Sequence, residues 1–202
     1  MIGSIDYGMG NLRSVQKAFA YIGFEAQILA DPDAAVHADR LILPGVGAFH
    51  DAMERLRATG MDQAVISCAN AGKPLLGICL GMQMMFEASE ENGHWEGLGL
   101  FKGTIRRLEN HGLKIPHMGW NTIDTHAGIL FDEDTHPCVY FVHSYCAPEI
   151  NEDTAASCTY GQTFTASVQR GNVCATQFHP EKSGVAGLEM LKRFASWEGD
   201  AC

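Results

Sequence analysis

A chain of 202 residues can bury on the order of 70% of its unfolded surface, which suits one core and is tight for two, so one domain over residues 1–202 is expected. With a formal net charge of −10 and scattered Lys and Arg, it offers no basic footprint for nucleic acid or an anionic membrane, and polyphosphate ligands are disfavoured. No run of about 18 apolar residues occurs, and Met1 to Asp6 lacks the basic start of a signal peptide, so a cytoplasmic protein is expected.

The chain opens with an apolar strand, Met1 to Asp6, then Gly8-Met9-Gly10 and a helix with Leu12, Val15, Phe19 and Ile22 at helical spacing. That opening, I-D-Y-G-M-G-N-L-R-S, raises a dinucleotide loop. Asp31 lies about 20 residues on, where a ribose-binding acid belongs, but Arg13 stands at the third glycine position of G-x-G-x-x-G and is too bulky for close helix–strand packing. Glu25 to Leu29 and Arg40 to Leu43 read as strands, Ala48 to Arg57 and Met61 to Asn70 as helices, and Leu75 to Cys79 as another strand. Strands alternating with helices predict a mostly parallel central sheet.

From Leu98 the pattern becomes β-rich, at Phe101 to Leu108, Trp120 to Thr125, Val139 to His143, Thr163 to Gln169 and Val173 to Phe178. Arg170-Gly171-Asn172 reads as a hairpin turn, and Val185 to Trp197 as a closing helix. The fold class is therefore α/β, with an antiparallel portion added in the second half. Seven cysteines without scaffold or C-x-x-C spacing suit a reducing compartment, most as core residues. The nine histidines show no metal-ligand spacing, so no metal is expected.

Chemistry concentrates at two strand ends. Leu75 to Gln83 runs an apolar strand into G-I-C-L-G and a helix, the nucleophile-elbow pattern with cysteine as nucleophile. Two glycines permit a sharp turn, and a helix starting at Leu80 aims its positive end at Cys79, which favours the thiolate. Gln177-Phe178-His179-Pro180-Glu181 supplies a base and an acid. In extended chain, residues two apart face the same way, roughly 6.6 Å apart, so Glu181 can hold one imidazole nitrogen and leave the other for Cys79. The order nucleophile, His, acid disfavours ordinary α/β-hydrolase esterases. For an oxyanion, Leu80 N–H and the glycine-permitted loop Gly45-Val46-Gly47 are candidate donors. Each has a plain alternative: a buried structural cysteine, a loop histidine before proline, a solvated Glu-Lys pair, an ordinary βα turn. Their coincidence favours catalysis.

G-I-C-L-G-M-Q together with Q-F-H-P-E resembles the triad-type (class I) glutamine amidotransferases over essentially the whole chain, with their flavodoxin-like fold. The opening decapeptide, L-P-G-V-G-A-F, P-H-M-G-W-N, Y-F-V-H-S-Y and H-P-E-K-S-G are similar, more narrowly, to the glutaminase subunits of imidazole glycerol phosphate synthases. The resemblance implies attack of Cys79 on the side-chain amide of glutamine, with His179 shuttling protons and Glu181 orienting it. It further implies glutamine binding by Gln83, His143, Ser144 and Tyr145, and no cofactor. Ammonia needs an acceptor site, and the glutaminase fold leaves no chain for one, so that site is expected on a partner. The resemblance names a (β/α)₈-barrel cyclase subunit, in a heterodimer, that makes imidazole glycerol phosphate and AICAR from a phosphoribulosyl-formimino precursor. Asn11 is an implied partner-facing residue, and the M-G-W-N match makes Trp120 another, against the commoner role of tryptophan in a core; Lys182, beside the acid, is either an interface ion-pair residue or a solvated surface lysine. Cys146 and Gly184 depart from the pattern outside the triad. The alternatives are a glutaminase serving surface-sugar or pyridoxal phosphate synthesis, a cysteine peptidase on the same scaffold, and a binding module that keeps the fold.

Overall fold

The computed structural model describes residues 1–109 and 111–199. Its first half alternates β1 (Ile2–Ile5), α1 (Leu12–Tyr21), β2 (Ala26–Leu29), α2 (Pro32–His37), β3 (Arg40–Gly45), α3 (Phe49–Ala58), α4 (Met61–Asn70), β4 (Leu75–Cys79) and α5 (Leu80–Met84). Strands then dominate: β5 (Phe86–Ser89), β6 (Trp95–Glu96), β7 (Phe101–Arg107), β8 (His117–Thr125), β9 (Cys138–His143) and β10 (Tyr145–Cys146). β11 (Thr154–Tyr160), β12 (Gln162–Arg170) and β13 (Val173–Thr176) follow, then a 3₁₀ turn at Pro180–Lys182 and α6 (Gly184–Ser196).

Nine strands form one sheet in the order β2-β1-β3-β4-β13-β12-β11-β8-β9. Pairing is parallel from β2 to β13 and antiparallel from β13 to β9. The antiparallel portion expected from sequence is thus largely the same sheet continued, with β13 as the seam. A second sheet has the order β10-β7-β5-β6, and a bridge from Ala147, just after β10, to Thr165 of β12 links it to the first. β1 and β4 are buried at every residue, as parallel strands covered on both faces must be. β8 alternates, with Met118 and Trp120 outward and His117 and Ile123 inward.

Side chains from alternate positions feed two cores. Leu41, Leu43 and Leu75 join Phe49, Leu56 and Val65 on one face. Ile42, Leu76 and Ile78 join Phe19, Phe141 and Phe194 on the other. The expected hairpin forms: Arg170 pairs with Val173 across Gly171-Asn172, with Gly171 at φ +52°. Sequence periodicity did not reveal α2, whose N-cap Asp31 accepts from Ala34 N–H at 3.1 Å. The acid weighed as a ribose ligand is therefore a helix cap. No helix among the described residues is long and apolar enough to cross a membrane.

Candidate active site

At the β4–α5 junction Cys79 has φ +55° and ψ −110°, a sparsely populated conformation that costs of order 1–3 kcal/mol. The flanking glycines do not carry that turn. Neither has positive φ; they admit close neighbours instead. A Cβ on Gly81 would lie 1.8 Å from the Leu43 carbonyl oxygen, and one on Gly77 would lie 2.8 Å from Met85 Sδ. The elbow is pressed against the β3 backbone so tightly that only glycine fits at position 81, Gly77 lies against the Met85 side chain and Ala175, and the strain falls on Cys79 itself.

β13 stops at Thr176, short of the expected Phe178, and His179 is extended while Pro180–Lys182 forms the 3₁₀ turn. Extended chain followed by a helical turn, rather than a continuing strand, brings His179 Nδ1 to 2.8 Å from Glu181 Oε1, with the two side chains 3% and 1% exposed. His179 Nε2 and Glu181 Oε2 have no protein hydrogen-bond partner within normal length. Burial pushes the His179 pKa down, but the hydrogen bond to Glu181 and the negative charge of Glu181 and of nearby Cys79 outweigh it and raise the pKa to about 9. The proton is thus held on the imidazole, against the Glu181 carboxylate.

Cys79, Leu80, Gln83 and His179 border a cavity of about 380 Å³, closed opposite by His143, Ser144 and Tyr145. Val46 and Gly47, at φ +98°, form its rim. Gly45 lies beneath rather than on the rim, in register with Cys79 across β3–β4. Gln83 Nε2 donates to the Tyr145 carbonyl at 2.9 Å, which His143 Nδ1 also meets at 2.9 Å. Burial drives the pKa of His143 to about 3 and that of His117 to about 4, so both rings stay neutral.

Glu91 and Tyr7 at the site escaped sequence reasoning. Glu91 faces the cavity, and its Oε2 accepts from Phe49 N–H at 2.7 Å, at the start of a helix whose N-cap, Ala48, has no side-chain acceptor. Buried Tyr7 donates its hydroxyl to the Pro44 carbonyl at 3.1 Å. That bond ties the opening turn to the Gly45–Gly47 loop. Asp6 accepts from Gly8 N–H at 2.9 Å and closes the same turn. Glu91 sits in no motif, and only the fold brings it near.

The implied partner-facing residues divide. Trp120 is 57% exposed, with its ring edge-on to Tyr140 at 6.0 Å, so the common buried role of tryptophan does not apply. Lys182 is exposed and forms no ion pair among the described residues. Asn11 begins α1 without capping it and lies behind the triad, beside Pro44, His179 and Glu181.

The sequence pattern of the family described as Glutamine amidotransferase class-I matches residues 4–196. An Oceanobacillus iheyensis protein named imidazole glycerol phosphate synthase subunit HisH is 51% identical over 197 residues, covering 96% of this chain and 98% of its own. The chloroplastic imidazole glycerol phosphate synthase hisHF of Arabidopsis thaliana is 45% identical over 94% of this chain but only 33% of its own. A solved structure titled as a glutamine amidotransferase superposes with a TM-score of 0.75 at 19% identity, covering 96% of this chain and 100% of its own.

Proposed function

The chain belongs to the class-I glutamine amidotransferase family and, within it, groups with the HisH subunits of imidazole glycerol phosphate synthase; from that premise we propose that it acts in the cytoplasm as a single glutaminase domain. It hydrolyses glutamine and passes the ammonia to a separate cyclase subunit in a heterodimer. The cyclase uses that ammonia to make imidazole glycerol phosphate and AICAR from the phosphoribulosyl-formimino precursor, in histidine biosynthesis.

Cys79 Sγ attacks the side-chain amide carbon while its proton resides on His179. Leu80 and the Gly45–Gly47 segment receive the developing oxyanion. His179 then protonates the departing nitrogen, leaving a glutamyl thioester that water opens to glutamate. Glu181 keeps the imidazole aligned throughout. Gln83 and the His143-Ser144-Tyr145 wall hold the amino-acid end, and the Glu91 carboxylate suits its ammonium group. One observation carries the reading: a buried His179–Glu181 pair beside a strained cysteine on one cavity. That the matched region is 33% of the Arabidopsis chain supports an acceptor activity carried outside this region. Trp120, Lys182 and Asn11 are proposed to face the cyclase.

Glutaminase assays with and without the cyclase and its nucleotide test this. The chain alone should turn over slowly, and the complete mixture much faster. Full activity of the lone chain would count against obligate coupling, and no glutaminase under any condition would sink the reading.

A further inference from the structure

Gln177 is fully buried, 0% exposed, two residues before His179. Its Oε1 accepts from Gln83 Nε2 at 3.0 Å, and its Nε2 lies 3.9 Å from Cys79 Sγ, within reach of a weak nitrogen-to-sulfur hydrogen bond. Which end of this amide faces the sulfur is decided by a chain of neighbours.

Neutral His143 and His117 carry one ring N–H each. A carbonyl only accepts, so the His143 proton sits on Nδ1, donated to Tyr145 at 2.9 Å. His143 Nε2 then accepts from His117 Nδ1 at 3.0 Å, and His117 Nε2 accepts from Asn121 Nδ2 at 3.3 Å. The same Tyr145 carbonyl requires nitrogen, not oxygen, from Gln83. Gln83 spends its second proton on Gln177 Oε1, which leaves Gln177 Nε2 as the group facing Cys79. Every member has one consistent direction, so the amide is fixed rather than free to flip.

We propose that Gln177 is a positioning residue for the nucleophile. It joins the substrate-holding Gln83 to Cys79 and gives the sulfur an N–H donor that favours negative charge on it as its proton moves to His179. The Val142 carbonyl, 3.9 Å from the same sulfur, can only accept a thiol proton, so Gln177 tips the balance toward the ionised nucleophile. The proposal draws its catalytic meaning from the glutaminase reading, but its test does not.

In the full chain, iodoacetamide labelling of Cys79 is followed by mass spectrometry of its peptide. Gln177→Met, closest in shape, should slow labelling about tenfold, the loss expected for one hydrogen bond to a charged atom. Gln177→Glu, which keeps an acceptor for Gln83 but sets a carboxylate against the sulfur, should slow it further. In glutamine turnover, kcat should fall with labelling while KM moves less than about threefold, the signature of an interaction specific to the reacting atom. Labelling within about twofold of wild type in both variants, or faster in both, would assign Gln177 to packing and overturn the proposal. Should neither variant fold, the wild type decides: alkylating Cys79 must shift the Gln177 side-chain amide resonances, and unshifted resonances overturn it. A wild type inert toward glutamine would sink the functional reading while leaving the labelling comparison intact.

Discussion

The two halves of the nine-stranded sheet build the site by different means. On the parallel side β1, β3 and β4 run the same way, so their carboxyl ends deliver Tyr7, the Gly45–Gly47 loop and Cys79 to one edge. Chain direction alone concentrates chemistry there. On the antiparallel side neighbouring strands end at opposite edges, and β9 reaches the cavity at its last two residues, Val142 and His143. That wall is held by side-chain hydrogen bonds among His117, His143 and Asn121. The contrast teaches that backbone packing places Cys79, whereas a polar network shapes the wall opposite it, so the two should fail differently.

The largest expected effect removes the parallel side's product. Cys79→Ser should lower glutaminase turnover by on the order of 10³ or more while calorimetry still detects glutamine binding; residual turnover near wild type would break the assignment. Next comes the seam. Glu181→Gln should cost about 10²-fold or more in kcat and move the alkaline limb of the pH–rate profile downward. In the wild type that limb should fall as pH rises through about 9, where His179 loses its proton. The sign is the same for stability: a raised folded-state pKa contributes fully below 6.5 and is lost as pH rises through about 9. An unmoved limb in the variant would detach Glu181 from the imidazole.

A backbone prediction follows. Gly81→Ala forces a Cβ to 1.8 Å from a carbonyl oxygen and should cost about 3 kcal/mol or more in urea unfolding. A normal unfolding midpoint would show that the elbow is looser than described. The smallest effect belongs to the antiparallel wall. His117 and His143 are depressed to about 4 and about 3 from 6.5, so the unfolded chain binds more protons and stability should decline as pH falls below about 6.5. His117→Gln should flatten that decline, and an unchanged slope would remove His117 as its source.

Legibility in the sequence followed the same division. The elbow and the H-P-E segment are local, so Cys79, His179 and Glu181 could be read from a few adjacent letters, and β4 and α4 matched their expected bounds. β11 was missed because its buried residues, Thr154 to Cys158, are small or hydroxylated and give little hydrophobic signal. The short α2 escaped for a similar reason: six residues are too few for helical periodicity to emerge. Glu91 joins the site only through a contact 42 residues away in sequence, which no local pattern encodes, and Gln177, although it opens Q-F-H-P-E, shows its bond to Gln83, 94 residues away, only in the fold. The glycines of G-I-C-L-G were expected to permit the sharp turn and instead admit close neighbours, since close approach is invisible without the neighbouring strand.

The cysteines carry a last consequence, in terms of oxidation. Burial pushes the Cys146 and Cys158 thiols up to about 12 and raises Cys174 further, which makes them poor targets for oxidants. Cys138 is exposed on the surface, far from the chemistry in role. Cys79 alone among the described cysteines opens onto the cavity. A mild peroxide dose should therefore silence this chain while leaving its fold intact, and a thiol reductant should restore it as long as the sulfur has gone no further than sulfenic acid.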